Sequence, residues 1–348
     1  MKHGKNSVKK LKVLGVSAGQ GILLYPFRHQ LIANVEPRGV FHTKNEEQWR
    51  SNFGKIPFIK DGLNPNWAPD IILSSPDCGA SSIMRLSKVK QLGNPSSNKS
   101  LNLVIEAILM YKPKIFLIEN LPRLLTLMPI NFFQDTFSDY KIIIHQSSVS
   151  EFGNSQTSRK RLMIIGVNKI TAKSYINSFD NKIQVHKIKI TRRLLFNTPY
   201  ELNDANIDNL IPLLDKKLAM YDYRKLPKKD NLTVKEIQYL WTHDFKYEKK
   251  WPIKTAKMST LPGVYRLLPD RYPLTLRPAD RQFRPDGYPL GLMDFKSIMG
   301  FPKRFRIYID NRNQQYWLNK ARYTIAKGAV GEIGRWFRRC LFRKEKRK

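Results

Sequence analysis

The chain contains few cysteines, few acidic residues and no long apolar segment. Only Cys78 and Cys340 occur among its 348 residues, which excludes a disulfide framework and a cysteine-type zinc site. No apolar run approaches the roughly 20 residues that a membrane-spanning helix needs, and the basic amino terminus leads into no apolar signal core. We therefore expect a protein without a metal ion or a membrane partner, in the reducing cytoplasm of a bacterial or phage-infected cell.

The shortage of acidic residues leaves a large excess of positive charge. The chain has 62 Lys and Arg residues against 28 Asp and Glu residues, which gives a net charge of +34 and a pI of about 10.1. A surface this basic repels itself unless a polyanion shares it, and nucleic acid is the usual one. An AT-rich genome would also enrich lysine, but we favour nucleic acid as the partner.

The first half of the chain alternates short apolar runs with helical spacing. Strands are predicted at residues 11–16, 30–35, 58–62, 70–73, 114–118, 141–145 and 162–167, and helices at 45–52 and 101–111. In the second helix the predicted core positions are Leu103, Ala107, Leu109 and Met110. The alternation predicts an α/β fold with a doubly wound, Rossmann-like sheet.

The pattern changes after residue 167. Residues 168–280 are polar and basic, with interleaved aromatic residues such as Trp241 and Trp251. This composition is typical of a domain that contacts phosphates and stacks on bases, although long solvated insertions would look similar. Order resumes near residue 289, and residues 323–337 read as a helix or turn-helix. We expect three parts, at 1–168, 169–285 and 286–348.

Three sites in the first half stand out. Cys78 follows the strand at 70–73, at the end where open α/β sheets bind ligands, although most free cysteines are small buried hydrophobes. A small-residue turn follows the first strand, and glycines there would admit a close ligand, or only a tight turn. Glu36 ends the second strand, where such folds bind ribose hydroxyls, or is an ordinary solvated glutamate.

These features, in this order, resemble the cytosine-5 DNA methyltransferase family over nearly the whole chain except the variable middle. The motifs that carry the resemblance are Ser17-Ala18-Gly19-Gln20-Gly21, Glu36, Asp61, Pro76-Asp77-Cys78, Glu119-Asn120-Leu121, Arg159-Lys160-Arg161, Met299-Gly300-Phe301-Pro302 and Ile325-Ala326-Lys327-Gly328. The resemblance implies a methyltransferase sheet, a smaller target-recognition domain at 169–285 and double-stranded DNA as substrate. We expect the enzyme to be monomeric.

The resemblance also implies roles for individual residues. Its cofactor is S-adenosylmethionine, with Glu36 at the ribose and Asp61 near the adenine. The residues matched to the cofactor pocket are Ser17, Ala18, Gly19, Gly21, Ile22, Glu36, Pro37, Asp61, Gly62, Pro76, Asn120, Lys327 and Gly328. The residues matched to the catalytic positions are Cys78, Glu119, Arg159 and Arg161.

The chemistry of cytosine C5 alkylation calls for these residue types. C5 is a weak nucleophile, and a thiolate added to C6 turns the ring into an enamine that attacks an electrophilic methyl group. Cys78 would be the thiolate, and Glu119 would protonate or hydrogen-bond N3. Arg159 and Arg161 would lower the pKa of Cys78, hold the carboxylate and bind the base O2. Because the target is buried in a duplex, its nucleotide must be flipped out.

Several positions depart from the family pattern, and Lys327 is the most informative. Asp77 replaces Pro, Gly79 replaces Gln, Thr157 replaces the Gln that precedes the arginines, and Lys327 replaces a neutral Asn near the methyl donor. Two unit positive charges about 4 Å apart repel by about 4 kcal/mol at an effective dielectric near 20. Lys327 would therefore turn to solvent, phosphate or the cofactor's carboxylate, or it would pair with the acid of carboxy-S-adenosylmethionine.

Three rivals to an ordinary DNA methyltransferase stay open at this point. A carboxymethyl donor would yield 5-carboxymethylcytosine. A transfer-RNA cytosine methyltransferase would share the catalytic motifs. A non-catalytic DNA-binding protein would keep the fold without the reaction.

Overall fold

The structure is a computed structural model. It describes residues 11–37, 42–78, 98–152, 159–180, 264–266, 281–283, 296, 299–302, 304–307 and 331–342. Among these residues, no helix is long and apolar enough to cross a membrane.

Seven strands form one sheet, and all seven predicted strands are confirmed. The strands are β1 (Val13–Val16), β2 (Leu31–Glu36), β3 (Phe58–Lys60), β4 (Ile71–Ser74), β5 (Ile115–Asn120), β6 (Tyr140–Ser148) and β7 (Lys160–Asn168). Their order is β3-β2-β1-β4-β5-β7-β6. Only β7 is antiparallel to its neighbours, so its first residues lie at the edge where the other strands end. Two short strands, β8 (Val264–Arg266) and β9 (Arg281–Phe283), pair in parallel apart from this sheet.

The helices of the described residues flank the sheet. They are α1 (His42–Phe53), α2 (Lys99–Tyr111), α3 (Leu124–Leu127), α4 (Ile130–Thr136), α5 (Ile176–Asp180) and α6 (Gly331–Phe342), and short 3-10 turns cover Tyr25–Phe27, Val149–Glu151 and Lys173–Tyr175. The helix predicted at 323–337 is found from residue 331 and continues to Phe342. Its predicted first turns lie outside the described residues.

Alternation along the strands divides the core into two layers. In β5, Ile115 and Leu117 pack on one face of the sheet, with α6, while Phe116 and Ile118 pack on the other face, with α2. Side chains of a strand point alternately to opposite faces, and a strand buried on both faces therefore reads as a continuous apolar run. This pattern explains why the strands were predictable.

Two of the predicted core positions of α2 are wrong. Leu103 and Ala107 are buried, but Leu109 and Met110 are 49% and 46% exposed. At about 100° per residue, Leu109 lies opposite the buried face formed by Leu103, Val104 and Ala107. Helical spacing therefore predicts the buried face of α2 only when the apolar residues are counted along one side of the helix.

The carboxyl-terminal segment returns to the sheet. Met299, Phe301 and Phe305 pack with Ile333 and Phe337 of α6 in the core layer that contains Val13 of β1. The division into three parts stays a prediction, since most of residues 169–285 lie outside the described residues.

Candidate active site

The site lies where the strand order reverses. The chain passes from β1 outward to β2 and β3, and then crosses back so that β4 pairs with the other side of β1. In open α/β sheets the crevice beyond the carboxyl ends of such strands is the ligand site. The turn after β1 and the Cys78 loop after β4 are therefore neighbours.

The turn after β1 has the backbone that close approach to a ligand requires. Ser17, Gly19 and Gly21 have φ of 50°, 58° and 78°, a region that favours glycine. A Cβ added to Gly19 would meet no atom within 4 Å, so open space faces the chain there. The Ser17 hydroxyl donates to the carbonyl of Ser100, 3.0 Å away, and ties the turn to the start of α2.

Glu36 lies beside this turn and is 3% exposed. Its Oε1 accepts hydrogen bonds from the Gly19 amide at 2.6 Å and the Asn34 side chain at 2.9 Å. Burial raises the pKa of Glu36 to about 7, although these hydrogen bonds act in the opposite direction. The solvated alternative for Glu36 is therefore wrong, because the carboxyl group is buried beside the turn after β1.

Two amide side chains hold the Cys78 loop. Asn120 donates from Nδ2 to the Pro76 carbonyl at 3.2 Å, and Asn98 donates from Nδ2 to the Asp77 carbonyl at 2.9 Å. Asn98 also caps α2, because its Oδ1 accepts from the Leu101 amide. The backbone on either side of Asp77 is thus fixed immediately before the thiol.

A buried ion pair stands at the ends of β5 and β7. Glu119 Oε1 lies 2.9 Å from Arg161 Nε, and both side chains are less than a tenth exposed. The other oxygen, Oε2, accepts a hydrogen bond from the Ser75 hydroxyl at 2.6 Å. Both carboxylate oxygens are thereby oriented, and hydrogen bonds to a charged group are the stronger kind.

Arg159 is a second buried cation next to this pair. Its Nη1 lies 3.6 Å from the Met299 sulfur. The pKa of Arg159 is lowered to about 9, mainly by burial and then by the positive charge of Arg161, while the negative charges of Glu119 and Cys78 act in the opposite direction. These mutual effects place Arg159 within electrostatic reach of the thiol and the carboxylate.

The sequence of this site matches a known family. The profile of the C-5 cytosine-specific DNA methylase family matches residues 39–318, which is more than half of the chain. The chain belongs to this family. No curated protein sequence matches it at the significance applied.

Solved structures resemble this DNA methylase along almost its full length. A chain described as a DNA modification methyltransferase encoded within an E. coli prophage is 17% identical, with a TM-score of 0.59, and the match covers 96% of this chain and 99% of that one. The Entamoeba histolytica methyltransferase EhMeth is 15% identical with a TM-score of 0.56, over 96% and 98%. Dnmt2 of S. pombe is 11% identical with a TM-score of 0.53, over 96% and 98%. Identities this low establish a common fold alone.

The remaining cofactor candidates that the structure describes form a buried group and an exposed group. Ala18, Ile22 and Pro37 are buried beside Glu36 or behind the turn. Asp61 and Gly62 are exposed with φ of 68° and 90°, and the Asp61 amide donates to the Glu36 carbonyl at 2.7 Å. Lys327 and Gly328 lie outside the described residues.

Burial and four charged neighbours determine the pKa of the methylase thiol. Burial raises the pKa of Cys78, and the negative charges of Asp77 and Glu119 raise it further. Arg161 and Arg159 lower it, as expected, but the net shift is upward. The two guanidinium groups therefore do not offset the effect of burial on the pKa of Cys78 in the free protein.

Sequence reasoning missed the residues that hold the motifs in place. Ser75 and Asn98 were not assigned a role, although each touches a motif residue. The only signal for Ser75 is a hydroxyl residue between an apolar strand and a proline. For Asn98 it is an amide one residue before a helix, which is typical of an N-cap.

Within the described residues, no cluster of His, Cys, Asp and Glu is arranged to hold a metal ion.

Proposed function

We propose that the protein transfers a methyl group from S-adenosylmethionine to C5 of cytosine in double-stranded DNA. The observation that carries this proposal is the convergence of Cys78, Glu119, Arg159 and Arg161 beside the turn after β1. The net charge of +34 suits a polyanionic substrate. The family model, described as C-5 cytosine-specific DNA methylase, supports DNA over RNA, and we propose a role in DNA modification, including restriction-modification.

The side chains suit the steps of the reaction. Cys78 gives its proton to water and adds as the thiolate to C6 of the flipped cytosine, and the ring's electron pair moves toward N3. Glu119 donates or shares a proton at N3, held in place by Arg161 and Ser75. Arg159 lies near the thiol and binds O2 of the base. After transfer a base removes the C5 proton, the C5–C6 double bond re-forms and the thiolate leaves.

The crevice beside β1 and β2 fits the cofactor. S-adenosylmethionine, when bound, supplies the electrophilic methyl group. Glu36 offers a buried carboxyl group to ribose hydroxyls, and open space lies over Gly19. Asn34 Oδ1 is buried without a hydrogen-bond partner among the described residues, and a buried acceptor of this kind is costly unless another group donates to it. Ser17 and Gly21 shape the turn, and Asp61 stands at its rim.

Target recognition is assigned to residues 169–285. A flipped base needs a surface that reads its neighbours and holds the opened duplex, and this segment is basic and aromatic-studded. We further propose that the enzyme acts as a monomer in the cytoplasm of a bacterial or phage-infected cell.

A substrate comparison tests the proposal. Purified protein receives S-adenosylmethionine with a radiolabelled methyl group, and either duplex DNA or transfer RNA, and the nucleosides are then analysed by mass spectrometry. We expect label in 5-methylcytosine of DNA. Label in transfer RNA alone would overturn the DNA assignment, and tight DNA binding without label on either substrate would indicate a non-catalytic binding protein.

Glu36 should make cofactor binding depend on pH. Its pKa is about 7 in the free protein, and ribose hydroxyls donate to the ionised carboxylate. Affinity is therefore expected to fall as the pH drops, by about tenfold between pH 8 and pH 6. Calorimetric titration across this range measures it, and Glu36→Gln should bind weakly and without pH dependence. A constant wild-type affinity would contradict the assignment.

The contribution of Glu36 to the free energy of unfolding changes with pH in the opposite direction to its contribution to cofactor affinity. A buried carboxyl group with a raised pKa stabilises the fold fully below its unfolded value, 4.5, and this contribution is lost as the pH rises through about 7. The free energy of unfolding of wild type, relative to Glu36→Gln, should therefore decrease over this interval in the absence of cofactor.

Lys327 motivates a second candidate donor. It stands where the family has a neutral Asn, and pairing with the acid of carboxy-S-adenosylmethionine would yield 5-carboxymethylcytosine. Each donor is supplied in turn, and the product nucleosides are resolved by mass. Lys327→Asn should shift the preference toward ordinary S-adenosylmethionine if the pairing exists. Methylcytosine alone, with no preference for the acidic donor, would remove this candidate.

A further inference from the structure

Two arginines on α6 each bind a main-chain carbonyl near the active site. Arg335 donates from Nη2 to the Gly300 carbonyl at 2.8 Å. Arg339 donates from Nη2 to the Phe152 carbonyl at 3.0 Å. Because the two residues are four apart, they lie on one face of the helix. We call this pair the arginine clasp.

The Gly300 carbonyl is connected to the side chain of Arg159 through the neighbouring residue, Met299. Gly300 has φ of 68° and follows Met299, whose sulfur lies 3.6 Å from Arg159 Nη1. Glu332, which is 2% exposed, holds the guanidinium of Arg335 through two contacts, one of them Nε to Oε2 at 3.0 Å. The orientation of Arg335 is therefore fixed, and with it the turn that carries Met299.

The Phe152 carbonyl is connected to the main chain of Arg159 through the turn formed by Val149–Phe152. The Val149 amide donates to the Arg159 carbonyl at 2.9 Å, and the Phe152 amide donates to the Val149 carbonyl at 3.1 Å. The Phe152 ring also packs edge-on against Trp336 of α6, with centroids 5.2 Å apart. Arg339 thus fastens the short turn against which the backbone of Arg159 is hydrogen-bonded.

The helix that carries the clasp is itself firmly seated. A Cβ at Gly334 would collide with the main chain of Leu23, and one at Gly331 would press on Ile22 and Pro302. The helix backbone therefore packs directly on the segment after the turn that follows β1. A helix that is held by backbone packing is rigid, so the side chains that it carries are held firmly in position.

We propose that Arg335 and Arg339 are positioning residues for Arg159, which they hold against the thiol and the carboxylate of the active site. One hydrogen bond fixes the side-chain end of Arg159 through Met299, and the other fixes its main chain through the Val149–Phe152 turn. A displacement of about 1 Å in a group that binds the reacting base costs up to about a hundredfold in rate. The proposal rests on the proposed function for its catalytic consequence, but not for its geometry.

The reactivity of Cys78 reports the position of Arg159 without any substrate. The charged groups that face this thiol are Asp77 and Glu119, which raise its pKa, and Arg161 and Arg159, which lower it. If Arg159 moves away, the pKa of Cys78 rises further, and alkylation of the thiol shifts to higher pH. Iodoacetamide labelling of the Cys78 peptide, followed by mass spectrometry across pH, measures this shift in the intact free enzyme.

The main variant is Arg339→Met, and its control is Arg338→Met. Arg339 is exposed and bonds only to a carbonyl in the described contacts, while Arg338 is the adjacent arginine and lies over the Phe342 ring. Both changes remove one positive charge from α6. We expect Arg339→Met to move the alkylation profile upward by several tenths of a pH unit and to lower kcat about tenfold, with KM for S-adenosylmethionine unchanged. Arg339→Lys should return both the alkylation profile and kcat part of the way to their wild-type values.

A second variant tests the other arm. Glu332→Leu with Arg335→Met removes the buried ion pair as a unit, so no unpaired charge remains, and it should give the same two shifts. Equal alkylation profiles and kcat values for both clasp variants and the Arg338→Met control would overturn the proposal. A shifted profile in a protein whose wild type methylates neither DNA nor RNA would instead retain the clasp and refute the proposed function.

Discussion

Cys78→Ser is expected to abolish methyl transfer and covalent trapping while leaving DNA binding intact. A serine hydroxyl is far less acidic than a thiol and is a poor nucleophile toward C6, so we expect the rate to fall by about 10⁴-fold or more. The assay is incubation with a duplex that carries 5-fluorocytosine at the target position. Fluorine cannot leave C5 as a proton does, so an active enzyme stays attached and migrates with the DNA in a denaturing gel.

The other cysteine supplies the matched control. Cys340 lies on α6 and packs at the edge of the core. Cys340→Ser should therefore trap DNA as the wild type does. A covalent adduct that persists in Cys78→Ser, or disappears in Cys340→Ser, would show that the nucleophile has been misassigned.

The raised pKa of Cys78 bears on when the thiol becomes reactive. Burial and two carboxylates oppose the thiolate in the free protein, and both arginines together do not compensate. A thiol with a raised pKa is less reactive than one with a lowered pKa. The thiolate is needed only after a base enters the site, and the base brings its own hydrogen-bonding groups to Glu119 and the arginines. This arrangement suits a nucleophile that is activated by its substrate.

The sheet could be predicted because its strands are buried on both faces. Residues 71–73 of β4 and 115–118 of β5 are apolar at every position, and polar residues end both strands. The order of catalytic motifs along these strands then placed Cys78, Glu119 and the arginines at one edge. The structure brings them together there, whereas their roles stay predictions until they are measured.

Contacts between segments distant in sequence could not be predicted. Arg159 meets Met299 across 140 residues, and Arg339 meets Phe152 across 187. An arginine in a basic carboxyl-terminal helix carries no local sign that it binds a carbonyl rather than solvent or phosphate. The buried faces of helices are also weakly specified, as exposed Leu109 shows. Periodicity identifies elements, but their mutual packing decides which side chains support a site.

Glu119→Gln is expected to lower kcat by about 10²- to 10⁴-fold, because a proton donor or acceptor at N3 contributes on this scale. The amide has the shape of the carboxyl group, so binding of DNA and cofactor should persist. Its oxygen can accept from Arg161 Nε, and its NH₂ group can donate to the Ser75 hydroxyl, which accepts as readily as it donates. The expected loss is therefore chemical rather than steric.

Stability measurements separate the chemical role of Glu119 from its structural one. Glu119→Gln leaves Arg161 as a buried cation without its counter-charge, and breaking such a pair costs about 3 to 5 kcal/mol. Ser75→Ala removes only the hydroxyl that contacts Oε2 and should cost about 1 kcal/mol, with a correspondingly small effect on rate. Thermal unfolding and single-turnover methylation are measured on both variants below their unfolding temperatures. If Glu119→Gln turned over DNA as fast as Ser75→Ala, the carboxyl group would be a structural partner of Arg161 and not the group that shares a proton with the base.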